Sequence, residues 1–453
     1  MTKTTTTNGN SSGYVLSISI IGALFFIFGF VTWLNGTLIQ FLQTACELTP
    51  FEASLVTLAF YIAYFFMALP SSFVLKATGY KNGMALGLVV MAVGSLIFIP
   101  AAYSRTFGVF LTGLFVMGTG LALLQTASNP YITIIGPRES AAVRISIMGI
   151  CNKLAGFISP LVLTALIMHG MEKYSEVNLK MLDETQRVTA LGELANRLVF
   201  PYVIMAIALF LLGIMVKYSP LPDKIDGEDE NHDSIKDFIK QIPDALKIRH
   251  LLLGVISLFV YVGVEVMAGD SIGQFGKNLH LPYAPSLTSF TMAFMMVGYI
   301  LGIITIPKYI SQSKALRLSA IIGALFSIGA IFSSVTSTSI FGWVFGWVNL
   351  LGLHIPLLPN AVFFVALLGL ANALMWPAIW PLALQDLGKY TKVASALLIM
   401  GIVGGALIPP GYIAIATNKS MHIGFQNALW IMVPIYLFLL YYATIGYKVK
   451  KHS

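Results

Sequence analysis

Three ionisable residues, Lys153, Glu265 and Asp270, lie inside stretches of chain that are otherwise apolar. Such a group inside a bilayer costs a few kcal/mol and is a functional candidate by default. Lys153 stands about 11 residues into the apolar stretch 142–168, or about 16 Å deep at the rise of a helix. Glu265 falls midway along the stretch 251–276, and Asp270 in its outer third. A buried carboxylate can take up a proton or hold Na⁺, and a lysine can neutralise it until the cation arrives. Asp270 and Glu265 are therefore the expected ion-coupling acids, with Lys153 paired to one of them and Na⁺, if that is the ion, near Asp270. The alternative is a salt bridge that only holds two parts of the molecule together. The two acids are five residues apart, about 140° around a helix, and should not share a face.

The same apolar stretches carry amides and aromatic rings. Asn and Gln side chains donate and accept at once, which suits the paired hydroxyls of a sugar. A flat ring suits its C–H face. The amide candidates are Asn35, Gln125, Asn129, Asn152, Gln274 and Asn372. The aromatic candidates are Trp33, Tyr61, Tyr64, Tyr261, Trp376 and Trp380. Each amide could instead make an interhelical hydrogen bond. Asn129, beside Pro130, could satisfy backbone that the proline frees. Each ring could equally be packing.

These residues must be positioned by helices that cross a membrane. Of 453 residues, 57% are hydrophobic and 10% charged, too few charges to cover a soluble domain. Stretches long enough to span a bilayer fall near 15–41, 53–75, 83–103, 107–128, 142–168, 198–217, 251–276, 286–309, 316–336, 360–385, 393–416 and 424–446. The apolar segment 337–358 is expected to be re-entrant or interfacial. Residues 1–14 are polar, and no cleavable signal peptide is expected. With the N-terminus inside, 19 of the 27 lysines and arginines fall on the inner side, which places both termini in the cytoplasm. The net charge of +8 then reflects loop anchoring, and no nucleic-acid partner is expected. Cys46 and Cys151 suggest no disulfide framework. The polar stretch 218–250 divides the chain into 1–217 and 251–453. Part of it, 234–249, could be an amphipathic helix on the membrane surface or a plain linker. Segment 171–197 could cap the outer mouth or simply connect.

The halves repeat weakly, in the same order. Ile147-Met148-Gly149-Ile150 answers to Ile399-Met400-Gly401-Ile402, Gln40-Phe41 to Gln274-Phe275, and Asn129-Pro130 to Trp380-Pro381. This register sets Gly36 opposite Asp270 and Gln125 opposite Trp376. The architecture expected is an all-α integral membrane protein, twelve transmembrane helices in two pseudo-symmetric six-helix halves. No His-Glu-x-x-His, Gly-x-Ser-x-Gly or phosphate loop occurs, so no enzymatic motif competes with transport.

Particular motifs carry a resemblance. Gly29-Phe30-Val31-Thr32-Trp33-Leu34-Asn35, Ala59-Phe60-Tyr61-Ile62-Ala63-Tyr64-Phe65, Gly79-Tyr80-Lys81 and Gln125-Thr126-Ala127-Ser128-Asn129-Pro130-Tyr131 resemble the fucose–galactose–glucose symporter family of the major facilitator superfamily. So do Asn372-x-x-Met375-x-Pro377-x-Ile379 and Met400-Gly401-Ile402-Val403-Gly404-Gly405-Ala406. The chain looks closest to the glucose/galactose and N-acetylglucosamine branches. The resemblance implies alternating access, a sugar between the halves and cation symport from the cell inner membrane, with no cofactor and a functional monomer. It implies sugar-binding roles for Gln125 and Asn152. It makes Lys76 and Lys81, with Arg138 and Arg144, the expected cytoplasmic gate. The fucose branch has carboxylates where Gly36 and Gln125 stand here, which removes that branch's proton acids and points toward Na⁺ rather than H⁺. Fucose or N-acetylglucosamine symport, an uncoupled facilitator and a non-transporting sugar sensor are the alternatives.

Overall fold

A computed structural model describes residues 11–134, 141–221, 235–306, 308–352 and 355–448. Twelve helices there are long and apolar enough to cross a membrane. Spans 1 to 6 are Tyr14–Ala45, Pro50–Thr78, Tyr80–Ser104, Phe107–Asn129, Arg144–Ile167 and Glu184–Lys217. Spans 7 to 12 are Arg249–Asn278, Ala284–Thr305, Gln312–Phe332, Asn360–Ala383, Thr391–Thr417 and Gly424–Gly446. No strand occurs among the described residues. The even count puts both ends of the bundle's chain and the central linker on one face, the linker face. The opposite, far face carries the turns after spans 1, 3 and 7.

Local sequence explains where the helices start and how closely they pack. Span 2 opens on a capping box: the Thr49 side chain accepts from the Glu52 N–H, and the Glu52 carboxylate accepts from the Thr49 N–H at 2.8 Å, with Pro50 at the first helical position. Spans 3 and 4 touch backbone to backbone. A Cβ on Gly87 would come within 2.7 Å of the Gly120 carbonyl, and one on Gly120 within 2.5 Å of the Gly87 carbonyl. Small residues substitute here for the hydrophobic drive that lipid does not supply between helices. Span 6 turns Phe200, Ile204, Ile207 and Leu211 outward along one stripe, as a lipid-facing helix surface should.

Between the halves, span 2 packs on span 11 and span 5 on span 8, a reciprocal exchange that follows the internal repeat. Spans 1 and 7 break at matching depths. Span 1 is helix Ser11–Trp33 followed by Asn35–Ala45. Span 7 is helix Arg249–Val266, a π turn Met267–Ser271, and helix Ile272–Asn278. Single π turns inside α-helices are frequent at functional sites.

Three segments left open by the sequence are placed by packing. Helix Ser339–Leu350 has 12 residues, too few to span. It seats Phe341 and Phe345 among Phe290, Phe294 and Phe363 and exposes Trp343 and Trp347, so the count stays at twelve. Helix Glu184–Asn196 docks on spans 1 and 3 of the first half. It buries Leu191 and Leu194, and Arg187 pairs with Glu47 at the end of span 1. Arg105 reaches the same carboxylate at 3.4 Å. Linker helix Ile235–Leu246 packs Ala245 against Leu251, Val393 and Leu397, tying the linker to the second half. Both cysteines are free thiols, and burial pushes the Cys46 thiol up to about 11.

Candidate functional site: a cavity between the halves

A cavity opens between the halves, lined from the first by spans 1, 2, 4 and 5 and from the second by spans 7, 8, 10 and 11. It extends from mid-span positions such as Trp33 and Glu265 to Ile132, Ile145 and Pro381 near the linker face. Nine of the twelve expected ligand residues line it: Trp33, Tyr61, Tyr64, Gln125, Asn129, Asn152, Tyr261, Trp376 and Trp380. Gln125 and Asn129 are one helical turn apart and so share a face. Trp376 and Trp380 stack at 5.5 Å with an interplanar angle of 20°, and Tyr61 and Tyr64 stack at 6.2 Å and 25°. The cavity thus offers amides together with flat apolar walls from both halves.

Thr32 and Tyr299 also line it. Nothing in the sequence singled them out, because each sits in an apolar run like many residues that face lipid. The Tyr299 ring comes to the cavity over Gly149, where a Cβ would meet it at 2.6 Å.

Three expected ligands lie elsewhere. Gln274 points to the far face and donates to the Pro50 carbonyl at 3.1 Å. Asn372 is fully buried and accepts from the Tyr436 hydroxyl at 2.9 Å, an interhelical strut. Asn35 is fully buried with both amide atoms unpartnered and does not line the cavity. Their polarity marked them, but helix rotation sends them away from it.

The ionisable groups separate into two environments. Lys153 Nζ meets Glu265 Oε1 at 2.8 Å, joining span 5 of one half to span 7 of the other. The ammonium also lies 4.4 Å from the centroid of the Trp33 ring. Trp33 Nε1 donates to Asn152 Oδ1 at 3.4 Å, and Asn152 Nδ2 donates to the Phe25 carbonyl at 3.4 Å. The pair is therefore charge-balanced at the cavity wall.

Asp270 is not part of that pair. It sits on the π turn of span 7 with no exposed surface, and neither carboxylate oxygen makes a hydrogen bond of normal geometry. The Gly36 backbone faces it. A Cβ at Gly36 would stand 3.3 Å from Asp270 Oδ1 and would overlap the Thr288 hydroxyl. The repeat therefore brings its two matched positions into contact: the half that lacks the acid makes room for it. The carbonyls of the π turn are satisfied from span 8, where Thr288 donates to Gly269 at 2.6 Å and Thr291 to Ala268 at 2.7 Å.

The far end of the cavity is closed by hydrogen bonds between halves. Thr37 donates to the Pro285 carbonyl at 2.7 Å, Gln40 to Ala284 at 3.1 Å, and Lys277 to Gln43 Oε1 at 3.0 Å. At the linker face, Arg144 is buried and donates to the Ile132 carbonyl at 2.9 Å. Lys76 and Lys81 flank the turn between spans 2 and 3. Arg138 lies outside the described residues.

Two discontinuous six-helix halves around a central cavity define a transporter architecture, and the chain belongs to the Major Facilitator Superfamily, whose family model matches residues 21–409. Within it, the chain falls in the fucose–galactose–glucose symporter branch. It is 32% identical over 450 residues to a protein of Brucella abortus (strain 2308) named "Glucose/galactose transporter", covering 98% of this chain and 97% of that one. It is 26% identical over 419 residues to the "L-fucose-proton symporter" of Escherichia coli (strain K12), covering 91% and 90%. The crystal structure of FucP in the outward conformation has the same fold, with a TM-score of 0.73 at 23% identity over 95% of this chain and 98% of that one.

Proposed function

We propose that the protein is a secondary active transporter that imports a hexose, glucose or galactose, by symport with protons through alternating access. The observation that carries this reading is the cavity between the halves, closed at its far end and lined by amides and stacked rings from both. Gln125, Asn129 and Asn152 would bind the sugar hydroxyls, and Trp376 and Trp380 its C–H face. The excess of basic residues on the linker face supports a cytoplasmic side for that face, and with it a location in the cytoplasmic membrane. The structure then corresponds to a state closed to the outside. Lys76, Lys81 and Arg144 would act in closing the inner side in the opposite state.

Asp270 supports proton coupling over Na⁺. An unpaired carboxylate charge sealed at this depth is costly, and a bound proton would remove that cost. Lys153 cannot neutralise it here because it is committed to Glu265. Relatives named as proton symporters point the same way.

The test is uptake of radiolabelled glucose into proteoliposomes under an inward H⁺ gradient, then a Na⁺ gradient, with galactose, N-acetylglucosamine and fucose as competitors. Accumulation with H⁺ alone is the expected result. Equilibration without accumulation under both ions would identify a facilitator, and absence of flux would leave a sensor. Asn152→Ala is expected to raise the KM for sugar about five- to tenfold, the value of one lost hydrogen bond. An unchanged KM would remove Asn152 from the binding site.

A further inference from the structure

Trp33 touches a neighbour of each carboxylate of span 7: Gly269, which precedes Asp270, and Lys153, which pairs with Glu265. Although it lines the cavity, only 3% of it is exposed. Its five-membered ring lies against Gly156 of span 5, where a Cβ would stand 2.5 Å from Cδ1. Its six-membered ring lies against Gly269 of span 7, where a Cβ would overlap it. Met292 of span 8 closes a further side. The face toward the cavity carries the Lys153 ammonium, and the indole N–H is held by Asn152. Two glycines from opposite halves therefore make a slot for one indole ring. Gly269 immediately precedes Asp270, so one edge of the ring packs on the backbone beside the sealed acid while Lys153 of the Lys153–Glu265 pair lies over its face.

We propose that Trp33 is the valve between the proton-binding acid and the sugar cavity. Seated in its glycine slot, the indole keeps cavity water from Asp270 and holds the proton there. When it leaves the slot, Asp270 is joined to the cavity, and its proton can pass to water on the linker side. The contacts of Trp33 with Asn152 and Lys153 make its seating responsive to what occupies the cavity. A symporter needs such a barrier, since an acid open to both sides would pass protons without sugar. This role rests on the reading of Asp270 as the coupling acid.

The test reads protons rather than sugar, so it stands apart from the uptake assay. Proteoliposomes containing a pH-sensitive dye, with the membrane potential clamped, receive an acid pulse in the absence of sugar. Trp33→Ala is expected to leak protons at least about tenfold faster than the parent, because the excluded path is opened. Trp33→Phe, which still fills the slot, is expected to stay nearly tight. Adding Asp270→Asn to Trp33→Ala is expected to return the leak to the parent level. Gly269→Ala provides a second route, since it expels the ring without removing it. Both slot variants must elute as monodisperse protein with an unchanged unfolding temperature. Proton-tight Trp33→Ala and Gly269→Ala proteins would overturn the proposal. So would a leak that persists in the Trp33→Ala/Asp270→Asn double variant. If the parent fails to accumulate sugar yet the leak pattern holds, the coupling reading falls and the valve remains.

Discussion

Asp270→Asn is expected to abolish proton-driven accumulation while leaving sugar exchange intact. A carboxamide has the shape of the protonated acid and no charge, so the halves can still close over it against Gly36. It cannot release a proton, so the cycle no longer draws on the gradient. At one proton per sugar, a gradient of one pH unit is worth about 1.4 kcal/mol, or about tenfold accumulation. The variant should settle at a ratio of about one under the same gradient. Counterflow of labelled against unlabelled sugar should continue at a rate comparable to that of the parent. Accumulation that survives Asp270→Asn and disappears in Glu265→Gln would move the coupling role to Glu265. Survival with unchanged ion dependence in both variants would make both acids structural.

The second large effect concerns the pair that bridges the halves. Lys153 and Glu265 are 6% and 8% exposed, and each is the charge partner of the other at 2.8 Å. Removing one member strands the other. Lys153→Met alone is therefore expected to destabilise the protein by about 3–5 kcal/mol, the range for breaking a buried pair. Replacing both, as Lys153→Met with Glu265→Met, removes two charges that were costly to bury and should recover most of that loss. The measurement is thermal unfolding of purified protein in detergent for parent, both single variants and the double variant. A double variant as unstable as Lys153→Met would mean that the lysine acts through Trp33 rather than through Glu265. Transport should suffer in all three, because the pair lies in the cavity wall and the ammonium also lies over the Trp33 ring.

Much of this protein was legible as sequence. Bilayer thickness fixes how long an apolar helix must be, and hydrophobicity is a local property. The twelve spans and the short helix at 339–350 could therefore be read without knowing what touches what. The internal repeat went further, since matching Gln40-Phe41 to Gln274-Phe275 set Gly36 against Asp270, two residues that meet in the structure. Polarity in an apolar setting marked Lys153, Glu265, Asp270 and the amides as candidates for the same local reason. What polarity could not give is direction. Lys153 could have met either acid. It reaches Glu265, while Asp270 lies against Gly36 of span 1. Gln274, Asn372 and Asn35 looked like Asn152 and Gln125 in the sequence. Rotation about the helix axis turns the first two to the far face and to Tyr436 and leaves Asn35 buried off the cavity. Trp33 stood among the candidate rings, but the slot that holds it could not be read, because Gly156 and Gly269 are 113 residues apart and only the meeting of spans 1, 5 and 7 brings them to it. Length and hydrophobicity set the elements one at a time. Pairing, rotation and occlusion arise between elements distant in sequence, and only the tertiary structure decided them.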